Sequence, residues 1–294
     1  MAHLLGAHVI DNGGIDMAVR RAAGAGMRAL QIFTTIPKYY GDKASIRPER
    51  VARFRAALDG TSIAPKNVQA HAAYVLNLAT GDAEKYARAR AGLTKELERS
   101  TALGLGAVCF HPGAATDSDP VSGAARVAEA MVAALEAVPG TTRLLVENTA
   151  GAGRTVGRNA DEIGAILSAI PRALRRRSGY GLDTCHLYAS GHDITSSPES
   201  LRAVLDSFEA AAGEAPAFFH LNDSEGAFGS NRDRHMLLGD GHIGVPPFRW
   251  LLADRRASGV PLILETPQDR PDIADDDPTP DPADVRMLAL LTGD

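Results

Sequence analysis

The sequence predicts a (β/α)8 barrel whose functional site lies at the C-terminal ends of its strands. Apolar runs typical of buried strands alternate with amphipathic segments typical of helices along the whole chain. Most of the strand-like runs end in His, Asp or Glu, and a parallel barrel brings all its strand ends to one face. With 294 residues, 45% of them hydrophobic, the chain can form one such barrel, so we expect a single catalytic domain over 1–294.

The elements form eight successive pairs of a strand and a helix. Each strand is a short apolar run, and each helix repeats apolar residues three and four positions apart. In chain order the pairs are LLGAHVI with IDMAVRRAAGAG, RALQIF with PERVARFRAALDG, VQAHA with AEKYARARAGLTKELERSTALG, AVCFHP with VSGAARVAEAMVAALEAV, RLLVENTA with NADEIGAILSAI, YGLDTCH with PESLRAVLDSFEAAAG, FFHLND with PPFRWLLAD, and LILET with ADVRMLALL. A doubly wound sheet is the main alternative, but the first turn, GAHVIDNGG, lacks the pattern GxGxxG.

Composition favours a cytoplasmic protein with no membrane association. No apolar stretch approaches the length of a membrane span, and the start lacks the features of a signal peptide. Cys109 and Cys185 lie inside predicted strands and are interpreted as buried free thiols. Thiolate coordination by Cys109, which shares a strand face with His111, is the alternative. The Pro- and Asp-rich stretch 267–284 is predicted to be an irregular, solvated excursion.

A set of nine potential metal ligands carries the chemical prediction. Its members are His71, His111, Glu147, Asp183, His186, His220, Asp233, His235 and Glu265. Imidazoles and carboxylates in similar number suit Zn²⁺ or Mn²⁺ better than Ca²⁺ or Mg²⁺, which prefer oxygen. Because nine ligands exceed what one tetrahedral ion uses, the set predicts two or three ions, some sharing a carboxylate.

Six segments resemble the endonuclease IV family of apurinic/apyrimidinic endonucleases. They are HAAYVLNLAT, FHPG, ENTAGAG, DTCHLYASGHD, HLNDSEGAFGSNRDRHMLLGDGHIG and LILETP. The resemblance covers most of the chain in order, and the His-rich fifth segment is its most specific part. It implies a trinuclear zinc hydrolase that cuts double-stranded DNA on the 5′ side of an abasic nucleotide. The products would be a 3′-hydroxyl and a 5′-deoxyribose phosphate, and 3′-blocking groups would be removed as well. We expect such an enzyme to act as a monomer.

The same resemblance assigns the ligands to individual ions. One zinc would be held by His71, His111 and Glu147, the second by Glu147, Asp183, His220 and Glu265, and the third by His186, Asp233 and His235. Glu147, Asp183 and Glu265 are the expected catalytic carboxylates, and Mn²⁺ is the alternative metal.

DNA contacts are expected in the loops that follow strands. The net charge of -5 is unusual for a DNA-binding protein, but three zinc ions would add about six positive charges at the functional face. The expected contact residues are Lys38, Tyr39, Tyr40, Tyr74, Arg154 and Arg234. The run Arg175, Arg176 and Arg177 enters a strand and is expected to be a solvated cluster at the opposite face.

One loop departs from the family pattern. After the second strand the family has a polar loop resembling K-N-x-R-x-W, whereas this chain has TTIPKYYGDKAS. We interpret Tyr39 and Tyr40 as replacements for the wedge that opens the DNA, with an ordinary surface loop as the alternative.

Two other functions stay open from the residues. Metal-dependent sugar isomerases and epimerases use the same barrel with mixed carboxylate and histidine ligands, although they need fewer ions and histidines. A non-catalytic protein that binds damaged DNA is the second alternative.

Overall fold

The computed structural model describes residues 3–35, 46–115 and 120–293. Within these ranges eight parallel strands close into a barrel, and helices pack around its outside. The predicted (β/α)8 barrel is therefore confirmed. No helix of the described ranges is long and apolar enough to cross a membrane.

The strands are short and buried over most of their length. They are β1 (Leu4–His8), β2 (Ala29–Ile32), β3 (Val68–His71), β4 (Ala107–Phe110), β5 (Arg143–Glu147), β6 (Ser178–Asp183), β7 (Phe219–His220), β8 (Asp223–Ser224), β9 (His235–Met236) and β10 (Pro261–Leu264). Around the barrel the order is β1, β10, β7, β6, β5, β4, β3, β2. The remaining pair, β8 and β9, forms a small antiparallel ribbon in the connection after β7.

Nine α-helices are present in the described ranges. They are α1 (Ile15–Gly24), α2 (Pro48–Leu58), α3 (Ala83–Leu103), α4 (Pro120–Ala137), α5 (Ala160–Ser168), α6 (Thr184–Ala189), α7 (Pro198–Ala212), α8 (Val245–Ala253) and α9 (Pro282–Thr292). Five of them, α3, α5, α6, α7 and α9, begin directly after a residue whose side chain caps the first turn. The Asp82 side chain accepts hydrogen bonds from the first turn of α3, and Gly104 ends that helix with a φ of 82°. These two caps define both ends of α3, the longest helix of the described ranges.

Alternation along the strands separates two apolar clusters. Val108 of β4 and Leu144 of β5 point outward into the main core between strands and helices. Cys109 and Leu145, one position further on, belong to a small cluster inside the barrel with Phe218. Because this cluster fills the interior near the starts of the strands, the interior near their ends is left to polar side chains.

The arginine run before β6 is not the solvated cluster that its composition predicts. It does lie at the N-terminal end of the barrel, in a 3-10 turn just before β6. Arg176 is exposed, but Arg177 is only 8% exposed and donates to the carbonyl oxygens of Leu135, Val138 and Thr142 at 3.1, 2.8 and 3.2 Å. Arg175 donates to carbonyl oxygens at the ends of α5 and α7. Carbonyls left unpaired at helix ends attract these guanidinium groups.

The acidic stretch after β10 is irregular, as predicted, but it is not simply solvated. Arg21, which is 2% exposed, donates from Nε to the carbonyl oxygen of Asp277 and from Nη2 to that of Ala274, both at 2.9 Å. Its Nη1 donates to the carbonyl oxygens of Ile10 and Asn12 in the loop after β1. One buried guanidinium therefore ties the stretch to the rim of the barrel.

Candidate metal centre

The nine predicted ligands converge at the C-terminal mouth of the barrel. His71, Glu147, Asp183 and His220 end β3, β5, β6 and β7, while His111 and Glu265 directly follow β4 and β10. His186 lies in α6 rather than at the end of a strand, because β6 stops at Asp183 and that carboxylate caps α6 by accepting from the His186 N–H at 2.8 Å. Asp233 and His235 come from the connection that contains the ribbon β8–β9.

The first ligand group contains His71, His111 and Glu147. Oε2 of Glu147 lies 3.5 Å from Nε2 of His71 and 3.3 Å from Nε2 of His111. The ligand atoms of all three residues lie within 4.8 Å of one another. The Glu147 side chain is fully buried, so its charge needs a partner of opposite sign at this place.

The second ligand group contains Glu147, Asp183, His220 and Glu265. Nδ1 of His220 lies 2.8 Å from Oε1 of Glu147, 3.2 Å from Oε2 of Glu265 and 3.9 Å from Oδ2 of Asp183. These four residues also place ligand atoms within 4.8 Å of one another. Glu147 thus turns one oxygen toward each of the first two groups, which is the geometry of a bridging carboxylate.

The third ligand group surrounds Asp233. Its Oδ2 lies 3.2 Å from Nε2 of His186, and its Oδ1 lies 3.2 Å from Nε2 of His235. Asp183, His186 and His235 also form a group within 4.8 Å, so Asp183 stands between the second and third groups. The three groups are consequently contiguous, linked by Glu147 and Asp183.

In their neutral form, three of the imidazoles present a lone pair, rather than an N–H group, to these carboxylates. Nδ1 of His71 lies 2.7 Å from the carbonyl oxygen of Ala72, Nδ1 of His186 lies 2.9 Å from that of Asn148, and Nδ1 of His235 lies 3.2 Å from that of Glu265. A carbonyl oxygen accepts only, so each Nδ1 carries the proton when the ring is neutral. The three Nε2 atoms are buried and have no hydrogen-bond partner. Two acceptors facing each other at about 3.2 to 3.5 Å fit a cation between them.

The carboxylates of the cluster raise the pKa values of the neighbouring histidines. Burial would lower the pKa of His220, but Glu147 and Glu265 raise it to about 9. Burial acts the same way on His235, and Asp183 together with Asp233 raises its pKa to about 9. The pKa of Glu147 lies well below its ordinary value despite burial, because His220 and His111 stabilise the anion. The buried carboxylates of the cluster are therefore stabilised by positive charge. Divalent ions can supply that charge, and their binding would release the protons held by the imidazoles.

Two asparagines that sequence reasoning passed over hold the carboxylates in place. Asn222 donates from Nδ2 to Oδ2 of Asp183 at 2.6 Å and accepts from the N–H of Glu265 at 2.8 Å. Asn148 accepts from the N–H of Asp183 at 2.7 Å. They are the last residues of LLVEN and FFHLN, so an amide within two positions of a predicted ligand was the available signal.

The connection that delivers His235 is fixed by another buried carboxylate. Asp223 is fully buried and accepts hydrogen bonds from the backbone N–H groups of Ser224, Gly239, Ile243 and Gly244 at 2.7, 2.9, 2.8 and 3.1 Å. These donors lie on both sides of β9. These hydrogen bonds hold the two halves of the long connection after β7 together. They thereby support the segment that carries Asp233 and His235.

Several expected DNA-contact residues surround this cluster. Tyr74 is 57% exposed, and its ring lies 4.9 Å from that of His71 and 6.0 Å from that of His111. Arg154 is exposed in the loop after β5, and Arg234 is exposed between Asp233 and His235. A cavity of about 460 Å³ opens beside the cluster, lined in part by His8, Phe33, Tyr74 and Glu265. Lys38, Tyr39 and Tyr40 lie outside the described residues.

Both cysteines are buried free thiols, as interpreted from the sequence. Sγ of Cys109 donates to Oε2 of Glu147 at 3.1 Å. Burial raises the pKa of Cys109 well above its ordinary value, and that of Cys185 to about 12. Sγ of Cys109 also lies within 4.8 Å of ligand atoms of Glu147 and His220, so coordination by its thiolate stays the alternative to a neutral thiol beside the site.

Comparisons with known proteins agree with this geometry. Residues 19–289 match the family described as xylose isomerase-like TIM barrel. A probable endonuclease 4 of Chloroflexus aurantiacus is 36% identical over 273 residues, which are 92% of this chain and 93% of that relative. The crystal structure of endonuclease IV from Thermus thermophilus superposes with a TM-score of 0.81 at 32% identity, covering 98% of this chain and 97% of its own.

Sugar epimerases share the barrel but little of the sequence. The 3-keto-D-glucoside 4-epimerase from E. coli superposes over 100% of both chains with a TM-score of 0.67, yet only 13% of the residues are identical. At that level the likeness extends to the fold alone.

Proposed function

The chain belongs to the endonuclease IV family, and on this basis we propose that it is a zinc-dependent DNA-repair enzyme that cuts 5′ to abasic nucleotides. As a member of that family it is a hydrolytic nuclease, a metal-dependent phosphodiesterase. The proposed products are a 3′-hydroxyl and a 5′-deoxyribose phosphate, and we extend the proposal to the removal of 3′-blocking groups. The observation that carries it is the contiguous set of ligand groups joined by Glu147 and Asp183.

The donor set fits three zinc ions. The first would be held by His71, His111 and Glu147, the second by Glu147, Asp183, His220 and Glu265, and the third by His186, Asp233 and His235. Divalent ions in such sites lower the pKa of water and stabilise charge on a leaving oxygen. Five imidazoles beside four carboxylates favour zinc, with Mn²⁺ as the alternative.

The chain's own residues prepare this site for an anionic substrate. Four ligand carboxylates would leave an excess of about two positive charges once three divalent ions were bound, which favours a phosphodiester. Glu147, Asp183 and Glu265 are the proposed catalytic carboxylates, because they set the spacing between the ions. Asn222 and Asn148 hold Asp183 and Glu265 against the pull of the neighbouring charges.

Tyr74, Arg154 and Arg234 are proposed to contact double-stranded DNA around the lesion. Tyr74 offers an exposed ring at the edge of the first ligand group, where it can fill the space left by an extruded nucleotide. The two arginines carry positive charge at the same end of the barrel. Lys38, Tyr39 and Tyr40 complete the proposed set, although they lie outside the described residues.

We further propose that the protein acts as a monomer in the cytoplasm. All three ligand groups come from one chain, so the site is complete without a partner subunit. Two free, buried cysteines fit a reducing compartment.

The decisive experiment combines metal analysis with cleavage assays. Protein purified without chelator should contain two to three transition ions per chain, chiefly zinc. It should cut a duplex with one abasic site and leave aldoses and ketoses unchanged. Glu147→Gln should lower cleavage by about 10³-fold or more, exceeding the loss from any single histidine substitution, because it weakens two groups at once. Tyr74→Ala should lower duplex cleavage while retaining the zinc.

Glu225→Gln is the matched control for Glu147→Gln. Glu225 is an exposed carboxylate of the excursion that pairs with Arg232, so the same chemical change there should leave zinc content and cleavage as they were. Folded wild-type protein with no more than one ion per chain would contradict the three-zinc site. Epimerisation of a sugar without DNA cleavage would favour the sugar-enzyme alternative instead.

A further inference from the structure

Two buried glutamines stand directly beneath the second ligand group. Gln31 of β2 and Gln69 of β3 are register partners on adjacent strands, and they are 0% and 2% exposed. Barrel interiors are ordinarily filled by branched apolar side chains. A buried amide costs free energy unless its hydrogen bonds are made, so its presence calls for specific partners.

The amide of Gln31 meets ligands from two different strands. Its Nε2 donates to Oε1 of Glu265 at 2.5 Å and to Nδ1 of His8 at 2.9 Å. Its Oε1 lies 2.8 Å from Nε2 of His220. One planar group thus sets the distance between Glu265 and His220 on the side facing away from the cluster.

The orientation of this amide follows from the protons around it. Nδ1 of His220 faces three carboxylates and must offer its lone pair if a cation is bound there. The proton of the neutral ring then sits on Nε2 and donates to Oε1 of Gln31. The opposite orientation would place an amide oxygen against the Glu265 carboxylate and an amide N–H against the imidazole N–H.

Gln69 reinforces that orientation from below. Its Nε2 donates to Oε1 of Gln31 at 2.6 Å. The same Nε2 lies 3.4 Å from Nε2 of His220, but two N–H donors cannot bond to each other, so its hydrogen goes to Gln31. Gln69 therefore acts on Gln31 and does not itself hold a ligand.

We propose that Gln31 is a positioning residue for the ion held by Glu147, Asp183, His220 and Glu265. It fixes His220 in the tautomer with the proton on Nε2 and holds Glu265 at the matching distance, while Gln69 fixes the amide of Gln31. The inference rests on the proposed function, because it requires a metal in the second group. It adds a specific consequence: of the three ions, one should depend on this amide.

The test is the rate at which zinc passes to a chromogenic chelator from the fully loaded protein. Gln31→Met keeps the length of the side chain and removes its hydrogen bonds to His8, Glu265, His220 and Gln69. One of the three zinc ions should then leave about 10- to 100-fold faster, with the other two unchanged, since the loss of a supporting hydrogen bond to a ligand typically costs this much affinity. Gln69→Met should accelerate the same ion only a few-fold.

Nitrogen NMR of histidine-labelled, zinc-loaded protein supplies a readout that packing alone would not move. The wild type should show His220 with its proton on Nε2, and Gln31→Met should show that signal shifted or split between states. Leu145→Met is the packing control, because Leu145 is buried in the same barrel interior with Phe218 and its side chain has no polar atom that could hold a ligand. It should resemble the wild type in both measurements.

The outcomes separate this inference from the proposed function. Wild-type protein that binds no zinc would end the proposed function. Wild-type protein that binds three ions, with Gln31→Met indistinguishable from Leu145→Met in zinc release and in the His220 signal, would overturn the role of Gln31 alone. If Gln31→Met does not fold, Gln69→Met decides, because wild-type zinc release and an unchanged His220 signal in that variant would equally overturn the proposal.

Discussion

At the N-terminal end of the barrel Arg177 places its donors on three backbone carbonyls, whereas at the C-terminal end buried acceptors face one another. Nη1 and Nε of Arg177 lie 2.8 to 3.2 Å from their carbonyl partners. Nε2 atoms of His71 and His186 lie 3.2 to 3.5 Å from carboxylate oxygens without a hydrogen bond to either. The first end pairs most of the Arg177 donors with carbonyl oxygens, although its Nη2 has no hydrogen-bond partner, whereas the second end sets potential metal ligands against one another.

The contrast separates stability from function within one fold. Polar groups that find partners inside the chain contribute to folding, and removing one partner leaves the others unsatisfied. Polar groups that face each other without partners lower the free energy of unfolding until a ligand binds between them. They therefore mark the place where the fold can bind a ligand. Substitutions at the first end should therefore lower the free energy of unfolding, and substitutions at the second should change what the protein binds.

Arg177→Met should give the largest stability effect among the substitutions that leave the metal cluster intact. Methionine retains much of the buried stem but leaves the Leu135, Val138 and Thr142 carbonyls without their donor. Because hydrogen bonds from a charged donor contribute more than neutral ones, the free energy of unfolding should fall by about 3 kcal/mol. Urea unfolding followed by circular dichroism measures this change.

Arg176→Met provides the control on the same turn. Arg176 is exposed, so its loss should alter the free energy of unfolding by no more than about 0.5 kcal/mol. Folded Arg177→Met should retain the zinc content and cleavage rate of the wild type. If that variant unfolds no more easily than Arg176→Met, the satisfied hydrogen bonds at this end do not carry the stability assigned to them.

Substitution of Asp284 should change the free energy of unfolding by a smaller amount that depends on pH. Asp284 is a buried carboxyl group that is neither fully hydrogen-bonded nor part of the metal cluster. This carboxyl is 2% exposed in α9, accepts one hydrogen bond from Gln268, and has its pKa raised to about 7 by burial and by Asp281. A folded-state pKa above the ordinary value means that folding favours the protonated form. The resulting stability is present in full below about pH 4 and is lost as the pH rises through 7.

Asp284→Asn should therefore stabilise the protein only at higher pH. The amide keeps an acceptor for Gln268 and cannot ionise, so the free energy of unfolding should rise by about 2 kcal/mol at pH 8 and change little at pH 4. Thermal unfolding across this pH range measures it. Asp276→Asn, at an exposed position of the same stretch, removes the same formal charge and should shift stability by less than about 0.5 kcal/mol at either pH. Equal gains from both variants would indicate general charge relief rather than burial.

The same distinction explains which parts of the molecule could be predicted from the sequence. Glu147 and Glu265 stand out because a carboxylate after a run of apolar residues interrupts a local pattern. His186 was predicted to lie at the end of a strand, whereas it lies in α6. That helix begins because the Asp183 carboxylate accepts a hydrogen bond from the His186 N–H, and the sequence does not show which way this carboxylate points. The sequence DTCH is compatible both with the end of a strand and with the first turn of a helix.

The residues that were missed depend on contacts between distant segments. Gln31 lies in the run RALQIF, where one polar residue among apolar neighbours does not reveal that it will face His220, 189 positions away. Arg177 belongs to a run of three arginines that reads as solvated, and its burial depends on where α4 ends in space. Such partners become visible only once the barrel has closed.

The smallest predicted effect compares arginines at the two ends of the barrel in DNA binding. Arg154 and Arg234 are exposed at the end that carries the ligand cluster, whereas Arg176 is exposed at the opposite end. Arg154→Ala and Arg234→Ala should each weaken binding to a duplex with an abasic site by about 1 kcal/mol, roughly fivefold, and lower the slope of log affinity against log salt by about 1. Arg176→Ala should change neither quantity, and zinc content should stay the same in all three variants. Fluorescence anisotropy across a salt series measures both the affinity and the slope. Equal losses from Arg176→Ala would mean that DNA is attracted by net charge alone, and the functional asymmetry between the two ends would then be confined to the metal cluster.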